Sequence, residues 1–347
     1  MKHLRVILPS AVLAVPAVSI LIAFFYGIAA AIAAFVLMVA AGFFISGWLL
    51  FHVALSRKSD KSSFFAASHN AIEPVSTSMD SKRKELHAQW REQTAMEEVT
   101  IKSHDGLDLF ALVIRNNPGS RRWAVVCHGY ASAGKERMMY VAQTFHEMGY
   151  SVLSPDARGH GKSGGDILGM GWPDRFDILQ WIDELNTRDS AEEIILYGVS
   201  MGAATVIMAS GEPLPLSVKA IVADSGYASV KKELSYQLKM LYGLPAFPVY
   251  HICSLIVRIR AGYWLSAANA VKQIAKSITP VLLIHGDEDT FVPPYMLDEL
   301  YAAASCPKQK MLIEGAGHCQ SSAVDRQRYW GAVSGFLAGA GLTGREV

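Results

Sequence analysis

The chain has 347 residues, of which 51% are hydrophobic and 18% charged, and its formal net charge is +1. This length fits one large domain with an appendage. A near-neutral chain without a basic stripe of interleaved aromatic residues gives no electrostatic basis for binding nucleic acid. The four cysteines have the spacing of neither a disulfide framework nor a zinc site, so no metal or other cofactor is expected. They are Cys127, Cys253, Cys306 and Cys319.

The N-terminus is strongly apolar. From Val6 to Leu55 there is no Asp, Glu, Lys or Arg. One membrane-spanning helix needs about 20 apolar residues, so residues 1–55 are predicted to hold two spans, near 6–26 and 30–54, with a turn around Gly27. A buried helical pair and a cleaved signal peptide followed by one span are the alternatives.

The charges on either side of this run predict its orientation. Lys2 and Arg5 precede it, and Arg57, Lys58 and Lys61 follow it. Basic flanks stay in the cytoplasm, and two cytoplasmic flanks require an even number of crossings. We therefore expect a multi-pass protein of the cell membrane whose remaining domain is cytoplasmic.

Residues 56–95 form a predicted linker. Its first part is rich in Ser and Ala, and its second part, Lys82 to Gln93, is charged. Leu86 and Trp90 are four residues apart there, which predicts a short amphipathic helix. This helix could pack on the following domain, the simpler expectation, or lie on the lipid surface.

From residue 96 onward, predicted strands alternate with predicted helices. Such alternation is typical of a mostly parallel sheet covered by helices on both faces. A hairpin comes first, and six further strands bring the predicted total to eight. The predicted strands are 97–103, 107–115, 123–127, 151–154, 193–197, 218–223, 280–284 and 309–313.

The segment Gly198-Val199-Ser200-Met201-Gly202 lies between a predicted buried strand and a helix of small residues. A serine at such a strand-to-helix turn has a strained backbone and presents its hydroxyl above the sheet. The flanking glycines avoid collisions with the neighbouring backbone. Ser200 is therefore the candidate nucleophile, and its hydroxyl needs a base that is itself oriented by an acid.

Candidates for both partners occur downstream. Asp287 and Asp289 follow the strand at 280–284, and His318 follows the strand at 309–313. Asp224, after the strand at 218–223, is a further candidate acid. Residues just past the carboxyl ends of strands lie where open α/β sheets bind ligands, and the order nucleophile, acid, histidine is that of nucleophile-elbow enzymes. His128 as the base and Cys319 as a reactive thiol are less favoured readings.

These motifs together resemble a known family. Residues 96–340 are similar to an α/β-hydrolase domain of the serine aminopeptidase and acylglycerol-lipase-like branch, and more narrowly to its membrane-anchored bacterial members. The resemblance implies an α/β-hydrolase fold whose insertion at about 227–276 forms a helical cap over the active site. The matching segments, besides the turn at Ser200, are Cys127-His128-Gly129-Tyr130, residues 155–163, His285 to Pro293 and Gly315 to His318.

The resemblance also implies roles for single residues. Asp289 matches the family's acid in a His-Gly-x-x-Asp pattern, whereas Asp287 is expected to stabilise the turn and Asp224 has the alternative acid position of some relatives. The amide of Met201, directly after the nucleophile, should stabilise the oxyanion of the reaction. By resemblance, the second oxyanion donor is the amide of Tyr130.

The predicted function is that of a membrane-anchored serine hydrolase acting on an ester, thioester or amide through an acyl-enzyme. The apolar cap and the membrane anchor favour a lipid-like or other small lipophilic acyl ester as the substrate. The alternatives are a serine aminopeptidase-like peptidase and a membrane-tethered binding protein on a hydrolase fold that no longer catalyses. The sequence predicts no oligomeric state.

Overall fold

An eight-stranded sheet forms the centre of the fold in the computed structural model, which describes residues 20, 23–59, 81–117, 119–130 and 134–342. The strand order is β1-β2-β4-β3-β5-β6-β7-β8, and only the β1–β2 and β2–β4 pairs are antiparallel. The strands are β1 Glu97–Lys102, β2 Asp108–Ile114, β3 Arg122–Cys127, β4 Ser151–Pro155, β5 Glu193–Val199, β6 Val218–Asp224, β7 Val281–Gly286 and β8 Lys308–Ile313. The predicted mostly parallel, eight-stranded sheet is confirmed.

Helices connect the strands from β3 onward, and further helices precede and follow the sheet. The α-helices of the described residues are α1 Ile28–Leu50, α2 Ser81–Gln93, α3 Gly134–Glu147, α4 Asp174–Arg188, α5 Met201–Ser210, α6 Val230–Tyr242, α7 Val249–Ala261, α8 Ala270–Ile274, α9 Tyr295–Ala303, α10 Ser321–Val324 and α11 Arg326–Gly339. A π-helical segment, Phe51–Leu55, continues α1. A short 3-10 helix, Leu265–Ala267, precedes α8.

The central strands are buried on both faces. In β5, Ile194, Ile195, Leu196 and Tyr197 are each at most 1% exposed, although successive side chains point to opposite faces of a sheet. Parallel strands that are covered in this way read as continuous apolar runs rather than as alternating ones. For this reason β5 could be predicted from the sequence. The strand ends at Val199, and Ser200 begins the turn that follows.

The chain divides into two compact units. One unit comprises Met1–Ala67 and Leu234–Leu265, and the other comprises Ser68–Glu233 and Ser266–Val347 and contains the sheet. In the first unit, α7 packs against α1. The predicted insertion at 227–276 is helical, with α6, α7 and α8 inside it. Its placement as a cap over the active site stays a prediction.

One helix within the described ranges, Ile28–Leu55, is long and apolar enough to cross a membrane. It contains the predicted span 30–54. The other predicted span, 6–26, lies mostly outside the described residues, so the two-span topology stays a prediction.

The helix predicted at Lys82–Gln93 corresponds to α2, but only one of its two predicted apolar residues, Trp90, contacts the core. Leu86 is 51% exposed, whereas the neighbouring His87 is buried. The ring of His87 lies 3.8 Å from that of Tyr140, and its Nδ1 lies 2.6 Å from Oε1 of Gln143, both in α3. Trp90, the other predicted apolar position, packs partly buried against the core, so α2 packs on the second unit as expected, through Trp90 and His87 rather than Leu86.

Candidate active site

Ser200 occupies a sharp turn between β5 and α5. Its φ is 54° and its ψ is −115°, a region that costs a non-glycine residue about 1–3 kcal/mol and is typical of functional sites. A Cβ atom at Gly202 would overlap the carbonyl oxygen of Cys127, and one at Gly198 would overlap that of Gly202. The turn can be this tight only because both positions lack a side chain. The Ser200 amide donates to the carbonyl of Asp224 at 2.8 Å, which ties the turn to β6.

The Ser200 hydroxyl lies at one end of a chain of hydrogen bonds. Its Oγ is 2.9 Å from Nε2 of His318, and Nδ1 of His318 is 2.7 Å from Oδ2 of Asp289. With the imidazole proton on Nδ1, where it is donated to the carboxylate, Nε2 is free to accept the serine proton. The structure thus brings together the three residues that the sequence placed after three different strands. All three side chains are buried.

The carboxylate of Asp289 has several donors. Its Oδ1 accepts the backbone N–H groups of Phe291 and Val292 at 2.9 and 2.8 Å. Nε2 of His285 donates to the carbonyl of Val292 at 2.8 Å and lies 3.1 Å from Oδ2 of Asp289. Burial alone would raise the pKa of Asp289, but His318 and His285 outweigh burial and hold that pKa well below its usual value. Asp289 is therefore an ionised, rigidly held partner for His318.

The two other candidate carboxylates make different contacts. Asp287 is exposed, and its Oδ1 accepts the amide of Gly315 at 2.8 Å, so it braces the turn after β8. Asp224 accepts the hydroxyl of Ser225 at 2.9 Å and that of Tyr329 at 3.1 Å. These contacts give Asp287 and Asp224 structural roles, which supports Asp289 as the acid that orients His318.

The environment of His318 favours its charged form. Burial alone would lower the pKa of His318, but the negative charge of Asp289 outweighs burial and raises that pKa well above its usual value. The ring of Phe291 packs on the imidazole, with 4.8 Å between the ring centroids. The site therefore stabilises an imidazolium, the form that arises when His318 takes a proton from Ser200.

A second set of polar contacts supports the loop of His318, and sequence reasoning missed it. The amide of Cys319 donates to Oγ of Ser225 at 3.2 Å, and Ser225 donates in turn to Asp224. Tyr329 binds the other oxygen of Asp224, and its hydroxyl lies 2.7 Å from that of Tyr197 in β5. We call these residues (Tyr197, Asp224, Ser225, Cys319 and Tyr329) the support network. It links the strand before the nucleophile to the residue after His318.

The loop after β3 lies against the nucleophile. A Cβ atom at Gly129 would lie 3.3 Å from Cβ of Ser200, so only a residue without a side chain fits comfortably. Nε2 of His128 accepts the amide of Ala157 at 2.9 Å, which leaves Nδ1, 2.6 Å from the Gly129 carbonyl, as the donor. His128 thus braces the loop with both ring nitrogens and is not available as the base.

The two predicted oxyanion donors, Met201 and Tyr130, directly follow the two residues that approach each other here, Ser200 and Gly129. Met201 opens α5, and the N–H groups of a helix's first turn have no acceptors within the helix. Tyr130 directly follows Gly129. Each amide thus directly follows one of the two residues in this contact, which is the position expected of an oxyanion donor.

One cluster of metal-type ligands occurs among the described residues: His104, Asp105 and Asp177, with ligand atoms within 4.8 Å of one another. The guanidinium of Arg158 donates to Asp177 at 2.6 and 2.8 Å and to Asp105 at 2.8 Å. Since Arg158 already pairs with oxygens of both carboxylates, the cluster is an ion-pair network rather than a metal centre.

Comparisons with known proteins agree with this fold. The family model described as serine aminopeptidase, S33, matches residues 119–247, a range that includes Ser200 but neither Asp289 nor His318. The Bacillus subtilis protein YqkD is 28% identical over 214 residues, or 61% of this chain and 70% of that protein. Among solved structures, the esterase Pf2001 of Pyrococcus furiosus is 25% identical with a TM-score of 0.59, covering 72% of this chain and 93% of that one.

A further relative bears on location. A membrane protein of Saccharomyces cerevisiae is 23% identical over 249 residues, which is 71% of this chain and 81% of that protein. Together with the apolar helix Ile28–Leu55, this similarity points to membrane association.

Proposed function

We propose that this chain, which is similar to the serine aminopeptidase family and to the esterase Pf2001, is a serine hydrolase that cleaves acyl esters through a covalent acyl-enzyme. One observation carries the proposal: the hydrogen-bonded series from Ser200 through His318 to Asp289, with distances of 2.9 and 2.7 Å. A non-catalytic descendant of this fold would be under no constraint to keep all three groups in contact.

In the first half-reaction, Oγ of Ser200 attacks the acyl carbonyl carbon while its proton passes to Nε2 of His318. The carbonyl oxygen becomes an oxyanion, which the amides of Met201 and Tyr130 stabilise. Asp289 stays ionised and stabilises the imidazolium. The intermediate collapses when the bond to the leaving oxygen breaks, and His318 gives its proton to that oxygen.

In the second half-reaction, water replaces the alcohol. His318 takes a proton from the water as its oxygen attacks the acyl-enzyme carbonyl. Collapse of the second intermediate breaks the bond to Oγ of Ser200, which regains its proton from His318. The products are a carboxylic acid and the free enzyme, and no cofactor takes part in any step.

We propose a lipophilic acyl chain in the substrate. The helix Ile28–Leu55 would hold the enzyme at a membrane, where lipophilic esters are concentrated. Basic Arg57 and Lys58 follow this helix after Ser56, so we place the catalytic domain on the cytoplasmic side. A thioester or amide would pass through the same two half-reactions, and a serine aminopeptidase is the alternative within this chemistry.

A hydrolysis screen of the full-length protein tests the proposal. Nitrophenyl esters of increasing acyl length, acyl thioesters and aminoacyl amides would be compared for wild type, Ser200→Ala and Ser266→Ala, where Ser266 is an exposed serine. We expect hydrolysis of long-chain esters by wild type and Ser266→Ala and none by Ser200→Ala. Preference for aminoacyl amides would favour the peptidase, and equal rates for all three proteins would contradict the proposal.

A further inference from the structure

Helix α7 carries an exposed stripe of mostly apolar residues. The stripe consists of His251, Leu255 and Ile259, which are four residues apart in α7, and of Phe247, which precedes the N-cap Pro248 and whose ring centroid lies 5.2 Å from that of His251. Residues four apart share one side of a helix. Phe247 and Ile259 are 71% and 76% exposed. We call these four residues the insertion stripe.

Another side of α7 packs against the N-terminal helix. A Cβ atom at Gly47 would lie 2.6 Å from Cβ of Ile252, so the absence of a side chain lets the two helices approach closely. Further along, the guanidinium of Arg260 lies 5.3 Å from the ring centroid of Phe51. Helix α7 therefore lies beside the last turns of the N-terminal helix, at the level of Gly47 to Phe51.

This level is where the lipid-accessible part of the N-terminal helix ends. Large apolar side chains are exposed as far as Trp48, whereas Phe51, Ala54 and Leu55 are buried. A helix of 28 residues is about 42 Å long, and the hydrocarbon core is only about 30 Å thick. Trp48, stacked on His52 at 5.4 Å, is of the residue type that marks the membrane–water boundary.

The end of α7 has the composition of an interfacial helix. Arg258 and Arg260 lie in its last turn, and both are exposed. Trp264, which follows the helix, is 48% exposed. Basic residues beside apolar and aromatic ones bind the headgroups of anionic lipids while the apolar residues enter the acyl boundary.

We propose that the insertion stripe lies in the interfacial layer of a membrane containing anionic phospholipids, next to the end of the N-terminal helix. The stripe and the exposed apolar surface of that helix then form one continuous lipid-contacting surface. The insertion is thereby a second membrane contact of the chain. This inference requires membrane association but not the proposed chemistry.

The test uses a fluorescent label at a single introduced cysteine. The four native cysteines are buried, so Ile259→Cys in the full-length protein can be labelled selectively with nitrobenzoxadiazole. The control is Leu216→Cys, because Leu216 is 88% exposed and precedes β6, at the strand end remote from Ser200. Leu255→Cys provides a second stripe position should Ile259→Cys fold poorly. Each protein is reconstituted in vesicles of phosphatidylcholine and phosphatidylglycerol.

We expect the labels at 259 and 255 to have blue-shifted emission and to be quenched by doxyl-labelled lipids, with little quenching by aqueous iodide. The label at 216 should show the reverse. Equal iodide quenching at 259, 255 and 216 would overturn the proposal. Blue-shifted emission without lipid quenching, increasing with the protein-to-lipid ratio, would also overturn it and would assign the stripe to contact with a second copy of the chain.

Discussion

Nδ1 of His318 lies 2.7 Å from Oδ2 of Asp289, and the same carboxylate also accepts two backbone amides and lies 3.1 Å from His285. These donors fix the carboxylate before any substrate is present. A fixed carboxylate in turn fixes the orientation of the imidazole, so that Nε2 points at Ser200. A carboxylate in this position holds the histidine in the tautomer and orientation that acyl transfer by a serine requires.

The acid assignment is tested by two asparagine variants. Asp289→Asn should lower kcat on the order of 10⁴-fold, since an amide no longer holds the required imidazole tautomer. Asp287→Asn should keep most of the activity, because its carboxylate contacts only the Gly315 turn. Steady-state kinetics on one ester would decide, and the reverse order of the two variants would move the acid to Asp287.

The pH dependence follows from the raised pKa of His318. An unperturbed histidine titrates at about pH 6.5; burial lowers this pKa, and the charge of Asp289 raises it. In the structure Asp289 outweighs burial, so the pKa of His318 lies well above its usual value. A general base must be neutral, so kcat/KM should rise with pH through a midpoint well above about 6.5 and then level off.

A titration of kcat/KM in wild type gives this midpoint. Asp289→Asn should shift it downwards, because the negative charge that raises the pKa of His318 is gone. A midpoint at or below about 6.5 in wild type would contradict the electrostatic account of the site.

The support network predicts an effect on turnover without an effect on binding. Ser225→Ala removes the acceptor of the Cys319 amide and one donor to Asp224. The loop of His318 should then be less well placed, which we expect to lower kcat about ten- to hundredfold with little change in KM. Tyr329→Phe, which removes the contact to the other oxygen of Asp224, should act in the same direction. Unchanged kcat in both variants would show that the network has no influence on the reaction.

The tight packing around the nucleophile predicts a cost in stability. Gly202→Ala would bring a methyl group against the carbonyl of Cys127, and overpacking of this kind destabilises by about 1–3 kcal/mol. The matched control is Gly331→Ala in α11, where a Cβ atom meets no atom within 4 Å and a helical alanine should stabilise. Thermal unfolding should therefore give a lower Tm for the first variant and an equal or higher Tm for the second.

The sequence predicted the parts of the site that follow a strand or a motif. Ser200 was recognisable from its flanking glycines and His318 from its place after β8, and the choice of Asp289 over Asp287 needed the family pattern. Tyr329 and His285 were missed, since only the fold brings Tyr329 to Asp224, 105 residues away, and His285 to Asp289. The spacing of Leu86 and Trp90 predicted an amphipathic helix. It could not show that the ring of Tyr140 packs on His87, which leaves Leu86 exposed.

Covalent labelling of the full-length protein tests the central claim most directly. The protein would be treated with a fluorophosphonate and the modified peptide identified by mass spectrometry, with His318→Ala as a control that keeps the serine but removes its base. The account predicts one adduct, on Ser200, and a much slower reaction in His318→Ala. A folded protein that acquires no adduct, or an adduct on another serine at the same rate in both proteins, would contradict it.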